Sequence, residues 1–125
     1  MSSVLLVDDE SMVVDVLQTM LTSYGHEVVS TTEPEEAAGI IAERSFDLYL
    51  FDLRMPEPSG AELAETVLGE SPEAKVLIMT AYPGDPLAAR AMRAGAAALV
   101  RKPFEIGKIL SFLEEKPEEL CNDRS

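Results

Sequence analysis

The chain has a single cysteine, and basic residues are scarce: ten Lys and Arg stand against 23 Asp and Glu, a formal charge of −13. One thiol, Cys121, forms no internal disulfide, and it lies in a polar stretch with no other ligand residues nearby. A surplus of acid this large argues against non-specific nucleic-acid binding, which needs a basic footprint. No apolar run reaches the length of a membrane span, and the opening Met1-Ser2-Ser3 lacks the basic, apolar and small-residue regions of a secretory signal. Together these absences point to the cytoplasm, with no membrane partner. Repeats and low-complexity tracts are missing too. What remains, 46% apolar and 26% charged residues over 125 positions, suits one globular domain. We place that domain at 1–116 and read 117–125 as an acidic, mobile tail.

Short apolar runs alternate with helix-period segments. The runs are Val4–Val7, Glu27–Ser30, Leu48–Phe51, Val76–Met79 and Ala97–Val100, and three are continuously apolar, as strands covered on both faces should be. Between them, Val13, Val16, Leu17, Met20, Leu21 and Tyr24 recur at helical spacing, with Gly25 where a C-terminal cap belongs. Thr32-Glu33-Pro34-Glu35 and Ser59-Gly60-Ala61-Glu62 fit the capping-box pattern, and Asp85-Pro86 fits an N-cap followed by a first-turn proline. Ile106, Ile109, Leu110 and Leu113 make the last stripe, interrupted by Gly107. Five β–α units predict an α/β fold with a parallel sheet and right-handed crossovers. The flavodoxin-like doubly wound order 2-1-3-4-5 is the small architecture that fits five strands, although periodicity alone leaves the order open.

Ligands of such sheets bind beyond the carboxyl ends of the strands. There the sequence places Asp8-Asp9 after the first strand, Asp52 at the end of the third, Thr80 at the end of the fourth and Lys102 just past the fifth. Three carboxylates in one crevice call for a cation, and an oxygen-only set with few ligands suits Mg²⁺. With charge offset by the metal and a lysine, one carboxylate could attack a phosphoryl donor, and a threonine hydroxyl could bond a phosphoryl oxygen. Each residue alone has a plain structural reading: Asp9 as a helix N-cap, Asp52 as a loop residue, Thr80 as a strand end, Lys102 as a solvated charge. Their gathering at one sheet edge favours the functional reading.

The segments Val4-Leu5-Leu6-Val7-Asp8-Asp9-Glu10, Asp52-Leu53-Arg54-Met55-Pro56 with Gly60, Met79-Thr80-Ala81, Ala94-Gly95-Ala96 and Lys102-Pro103-Phe104 resemble the signature set of the receiver domains of two-component response regulators. The resemblance runs from about Val4 to Leu113. It implies that Asp52 accepts the phosphoryl group from a histidine kinase or phosphotransfer protein. It also implies that Asp8, Asp9, Asp52 and the backbone carbonyl of Arg54 hold Mg²⁺, and that Thr80 and Lys102 grip the phosphoryl group. The Lys102–Pro103 bond would be cis. Such a domain is a phosphoacceptor that catalyses its own phosphorylation and dephosphorylation, not an enzyme with a separate substrate. It works by shifting between two conformations that bind a downstream protein differently.

The sequence departs from the family at residue 99, where receivers usually carry Tyr or Phe as a switch aromatic and this chain has Leu99. Three readings stand: Leu99 is a switch residue that senses the rearrangement less sharply, Leu99 is simply a core residue, or Tyr82 substitutes and output runs through backbone movement at Thr80 and Tyr82. By resemblance Arg54 and Tyr82 flank the phosphoryl group, and we expect their bulk to exclude water and prolong its life. Arg90, Arg93, Arg101, Lys102 and Lys108 are half of the ten basic residues, and no acid lies between Asp85 and Glu105. By resemblance that stretch is the fourth helix, fifth strand and fifth helix, a face used for partners or homodimers; a solvated basic face is the plainer account. His26 reads as a solvated turn residue, and Met79 and Met92 as core.

Competing readings fail on particular residues. A flavin carrier needs a Ser/Thr/Gly phosphate loop after the first strand, where this chain has Asp8-Asp9-Glu10. A phosphohydrolase resembling the haloacid dehalogenases needs an acid two residues past its nucleophile, where this chain has Arg54. A phosphorylation-independent, receiver-like binding module remains the alternative, kept open by Leu99. No output domain fits after the last helix, which leaves a single-domain regulator or a piece of a longer chain.

Overall fold

The structure, a computed structural model, describes residues 2–102 and 106–113. Five strands, β1 (Ser3–Val7), β2 (Glu27–Thr31), β3 (Leu48–Asp52), β4 (Val76–Thr80) and β5 (Ala98–Arg101), alternate with five helices. The helices are α1 (Ser11–Ser23), α2 (Pro34–Glu43), α3 (Gly60–Glu70), α4 (Pro86–Ala94) and α5 (Ile106–Leu113). All strand pairs are parallel, in the order β2-β1-β3-β4-β5. This is the doubly wound flavodoxin-like arrangement that the β–α alternation predicts.

The period of two along each strand divides the core between the two faces of the sheet. Leu5, Val7, Tyr49, Phe51, Val76 and Ile78 pack with Ala37, Ala64, Val67 and Ala91 from α2, α3 and α4. Val4, Leu6, Leu48, Leu50, Leu77 and Met79 pack on the other side with Val14, Leu17 and Leu21 of α1 and Ile109 of α5. β3 and β4 are buried along their whole length, which is why their sequences are apolar without alternation. β2, at the sheet edge, is only half-buried over most of its length.

Several local expectations need correction. In α1 the buried stripe runs through Val14, Leu17 and Leu21, while Val16 and Tyr24 face solvent. Gly25 does follow the helix, with φ of 91°. Thr32 does not cap α2: Glu33 is the N-cap residue, without a side-chain bond, and the hydroxyl of Thr31 accepts from the Glu33 N–H at 2.9 Å instead. Pro34 takes the first helical position, which puts the N-cap at Glu33, one residue past Thr32. The Ser59–Glu62 capping box and the Asp85 cap form as expected. Met92 is exposed (39%) because α4 meets the sheet through alanines. His26 is not solvated: its Nδ1 accepts from the Ser2 N–H at 3.3 Å and its Nε2 is buried. Pro103, Cys121 and the 117–125 tail lie outside the described residues, and with them the cis Lys102–Pro103 bond.

Candidate functional site

The chain leaves β1 toward β2 on one side and returns past β1 to β3 on the other, so a crevice opens where the carboxyl ends of β1 and β3 diverge. Backbone bonds carry the ladder past the strand ends. Leu53 N–H donates to the Met79 carbonyl at 2.9 Å and Lys102 N–H to the Thr80 carbonyl at 2.9 Å. These two bonds hold Asp52, Thr80 and Lys102 in adjacent registers.

Asp8 is fully buried, and Asp52 and Thr80 are nearly so. Asp8 Oδ1 accepts from the Glu10 N–H at 2.9 Å, which fixes the carboxylate as the chain turns into α1. Asp9 is exposed, and Glu10, not Asp9, is the N-cap residue, so the N-cap reading of Asp9 is excluded. Carboxylate oxygens of Asp8, Asp9 and Asp52 lie within 4.8 Å of one another. Lys102 reaches into the group, its Nζ 2.9 Å from Asp8 Oδ2, 3.1 Å from Asp52 Oδ1 and 3.6 Å from Glu10 Oε1. Four carboxylates therefore face one ammonium.

The electrostatics follow from that imbalance. Burial pushes the Asp52 carboxyl from 3.8 up to about 7, the Asp8 charge pushes the same way, and the Lys102 ammonium only partly opposes them. Burial likewise raises Asp8, against the Glu10 N–H and Lys102. Burial draws Lys102 down, but its bond to Asp8 and the charges of both aspartates outweigh this and hold it above its ordinary value. A site that strains to ionise its own acids is built for a further positive charge. The donor set fits a hard cation. It is all oxygen, its acids converge, and among the described residues buried Asp8 Oδ2 meets no partner but the lysine ammonium.

Gly60 explains why the β3–α3 turn can come so close. A Cβ there would lie 2.2 Å from the Asp52 carbonyl oxygen and 3.0 Å from Leu53 Cα. The Gly60 N–H donates to the Leu53 carbonyl at 3.0 Å, and Ser59 and Glu62 close the capping box, so α3 starts directly against the acceptor strand.

Thr80 Oγ1 accepts from the Tyr82 N–H at 3.0 Å and sits 3.3 Å from its carbonyl, so the hydroxyl is tied to the backbone of residue 82. Asp9, Glu10, Asp52, Arg54, Thr80, Tyr82 and Lys102 all border one cavity of about 360 Å³. Arg54 and Tyr82 border this cavity beside Asp52, with their side chains largely turned to solvent. Asp85 draws the Arg54 guanidinium away in a two-bond pair at 2.7 and 2.8 Å, leaving its side chain 65% exposed, and Tyr82 is 75% exposed. The Arg54–Asp85 pair, which the sequence reading missed, joins residues 31 apart and leaves no local signal.

Leu99 is half-buried, packed on the α2–α4 side of the sheet and paired with Ile78 across the ladder. The expected basic face is broken up by the fold. Lys102 turns into the acidic crevice, and Arg90 makes two 2.7 Å bonds to Glu65 of α3, an acid far away in sequence. Lys108 Nζ donates to the Leu99 carbonyl at 2.8 Å. No helix among the described residues is long and apolar enough to cross a membrane.

Comparisons with known proteins agree with this geometry. Response regulator protein FleR of Pseudomonas aeruginosa is 36% identical over 112 residues, covering 90% of this chain and 24% of its own length. Transcriptional regulatory protein ZraR of Klebsiella oxytoca is 34% identical over 112 residues, covering 90% and 25%. The chain thus spans about a quarter of these curated relatives. A CheY-like receiver domain protein from Methanospirillum hungatei JF-1 superposes with a TM-score of 0.84 at 29% identity, covering 95% of both chains. A response regulator from Burkholderia pseudomallei, solved with a phosphorylated aspartic acid, a calcium ion and citrate, has a TM-score of 0.81 at 25% identity and covers 97% of this chain and 71% of its own. The family model described as the response regulator receiver domain matches residues 4–114. With the sheet order, the acidic crevice and these matches in agreement, the chain belongs to the response regulator receiver domains, phosphoacceptor modules of two-component signalling.

Proposed function

We propose that Asp52 is the phosphoacceptor, and that Asp8, Asp9, Asp52 and the backbone carbonyl of Arg54 hold a Mg²⁺ ion beside it. The observation that carries this reading is the Lys102 ammonium between the buried Asp8 and Asp52 carboxylates, in a crevice that Thr80 also borders. An Asp52 oxygen attacks the phosphorus of a histidine kinase or phosphotransfer protein's phosphohistidine. The phosphorus–nitrogen bond breaks, its electron pair stays on the donor imidazole, and an acyl phosphate forms. Bound Mg²⁺ supplies positive charge for the transferring phosphoryl oxygens and for the crowded carboxylates. Lys102 supplies a second positive charge to the same oxygens. No separate substrate enters this scheme: the domain promotes gain and loss of its own phosphoryl group.

The switch begins at Thr80. To donate to a phosphoryl oxygen its hydroxyl must leave the backbone of Tyr82, so the β4–α4 loop moves with it. Leu99 supports the sheet behind this loop, and output runs through Thr80 and Tyr82. The moved loop alters affinity for a downstream protein, with the face of α4, β5 and α5 as the partner or self-association surface, in a cytoplasmic setting. The folding unit is residues 1–116.

The test is intact mass after incubation with acetyl phosphate and Mg²⁺, beside Asp52→Asn and a chelated control. One added phosphoryl group in the wild type alone supports the reading. No addition, with Mg²⁺ binding demonstrated, overturns it in favour of a phosphorylation-independent binding module.

A further inference from the structure

α4 is a nine-residue helix with little apolar anchorage. The residues it buries fully are Ala88 and Ala91, two methyl groups that remove little area from water, with Leu87 and Ala94 half-buried beside them. A helix this short is not stable by itself, so its position depends on what holds it to the rest of the chain. Two arginine–carboxylate forks do so, one at its middle and one at its N-terminus. Arg90 binds Glu65 of α3 through two 2.7 Å bonds. At the N-terminus, Arg54 binds Asp85, whose Oδ1 also caps the helix by accepting from the Leu87 N–H at 2.9 Å.

The two forks differ in one respect. Arg54 lies two residues past Asp52 and borders the same cavity as Asp52, Thr80 and Lys102, whereas Arg90 does not. A phosphoryl group on Asp52 would place up to about two negative charges and three acceptor oxygens in that cavity. A guanidinium fork matches phosphate geometry as well as it matches a carboxylate.

We propose that the Arg54–Asp85 pair is a latch on α4 which a phosphoryl group on Asp52 opens by taking the Arg54 guanidinium for itself. The inference rests on Asp52 being the acceptor. Asp85 then keeps its cap on Leu87 but loses its tether to the β3–α3 loop. The first turn of α4 loosens while the Arg90–Glu65 fork holds the middle of the helix. Because Asp85 and the phosphoryl group compete for one cation, the coupling is reciprocal: weakening either competitor strengthens the other's hold.

The test uses beryllium fluoride as a phosphoryl mimic, titrated into the full chain with Mg²⁺, together with amide hydrogen exchange of α4. Asp85→Asn keeps a capping oxygen but gives up the competing charge, and it should bind the mimic about two- to fivefold more tightly. Arg54→Gln, which breaks the same pair, should bind it more weakly by a similar factor. In the wild type, saturation with the mimic should speed exchange at Leu87 to Arg90. Both variants should exchange fast there before the mimic is added. Affinity shifts in the same direction for the two variants, or α4 exchange unchanged by the mimic in the wild type, would overturn the latch. Mimic binding that survives Asp52→Asn would overturn the acceptor assignment, and the latch with it.

Discussion

Replacing Asp52 by Asn should make the metal-free protein more stable, and the gain should grow with pH. Asp52 is 6% exposed, beside the buried Asp8, and burial together with that neighbour raises its carboxyl from 3.8 to about 7. Between those values the folded chain holds a proton on Asp52 that the unfolded chain has released. Stability therefore falls as pH rises through this window, and above about pH 7 the folded state carries the whole cost of the ionised group. A rise from 3.8 to about 7, at about 1.4 kcal/mol per pH unit, sets a ceiling on the order of 4 kcal/mol. Asparagine is the nearest neutral isostere and removes the titration. Urea denaturation of both proteins at pH 5 and pH 8, with a chelator present, should show the gap in the variant's favour widening by on the order of 2 kcal/mol. A gap that does not change with pH, or a variant less stable than wild type at pH 8, would refute the electrostatic account of the crevice.

Other substitutions test how the site is built. Gly60→Ala forces a Cβ to 2.2 Å from the Asp52 carbonyl oxygen, and should cost about 2–3 kcal/mol in urea denaturation. Gly39→Ala, inside α2 with nothing within 4 Å of the new Cβ, should instead stabilise by about 0.5–1 kcal/mol. Ser59→Ala removes the capping box of α3 and should cost about 1 kcal/mol in the same assay. Tyr49→Phe strips the buried Phe46 N–H of its acceptor at 3.0 Å, and should lower stability by about 1–3 kcal/mol without changing phosphoryl uptake measured by mass.

Much of this molecule was legible before its structure, because two periodicities and the strand-end rule act locally. Leu48 to Phe51 and Val76 to Met79 read as fully buried strands, and they are. Asp8, Asp52, Thr80 and Lys102 could be named because in a parallel sheet every strand end opens on the same edge. What escaped the sequence was pairing over distance. Arg90 looked like part of a basic face until Glu65 met it from α3, and nothing near Arg54 in the sequence announced Asp85 as its partner. Neither acid is near its partner along the chain. His26 was misread for the same reason, since its acceptor nitrogen is occupied by Ser2, 24 residues earlier. Met92 and Thr32 failed differently. Apolarity does not say which face of a short helix is covered, and Pro34 at the first helical position moved the N-cap from Thr32 to Glu33.

The central claim is that the phosphoryl group resides on one particular carboxylate. Borohydride reduces an acyl phosphate to an alcohol, so treatment of the acetyl phosphate-charged protein, followed by peptide mass mapping, converts a phosphorylated aspartate to homoserine and marks its position. The account predicts homoserine at position 52 alone, dependent on Mg²⁺ and on prior exposure to the donor. Conversion at Asp8 or Asp9, or phosphoryl uptake with no reducible aspartate at position 52, would contradict it.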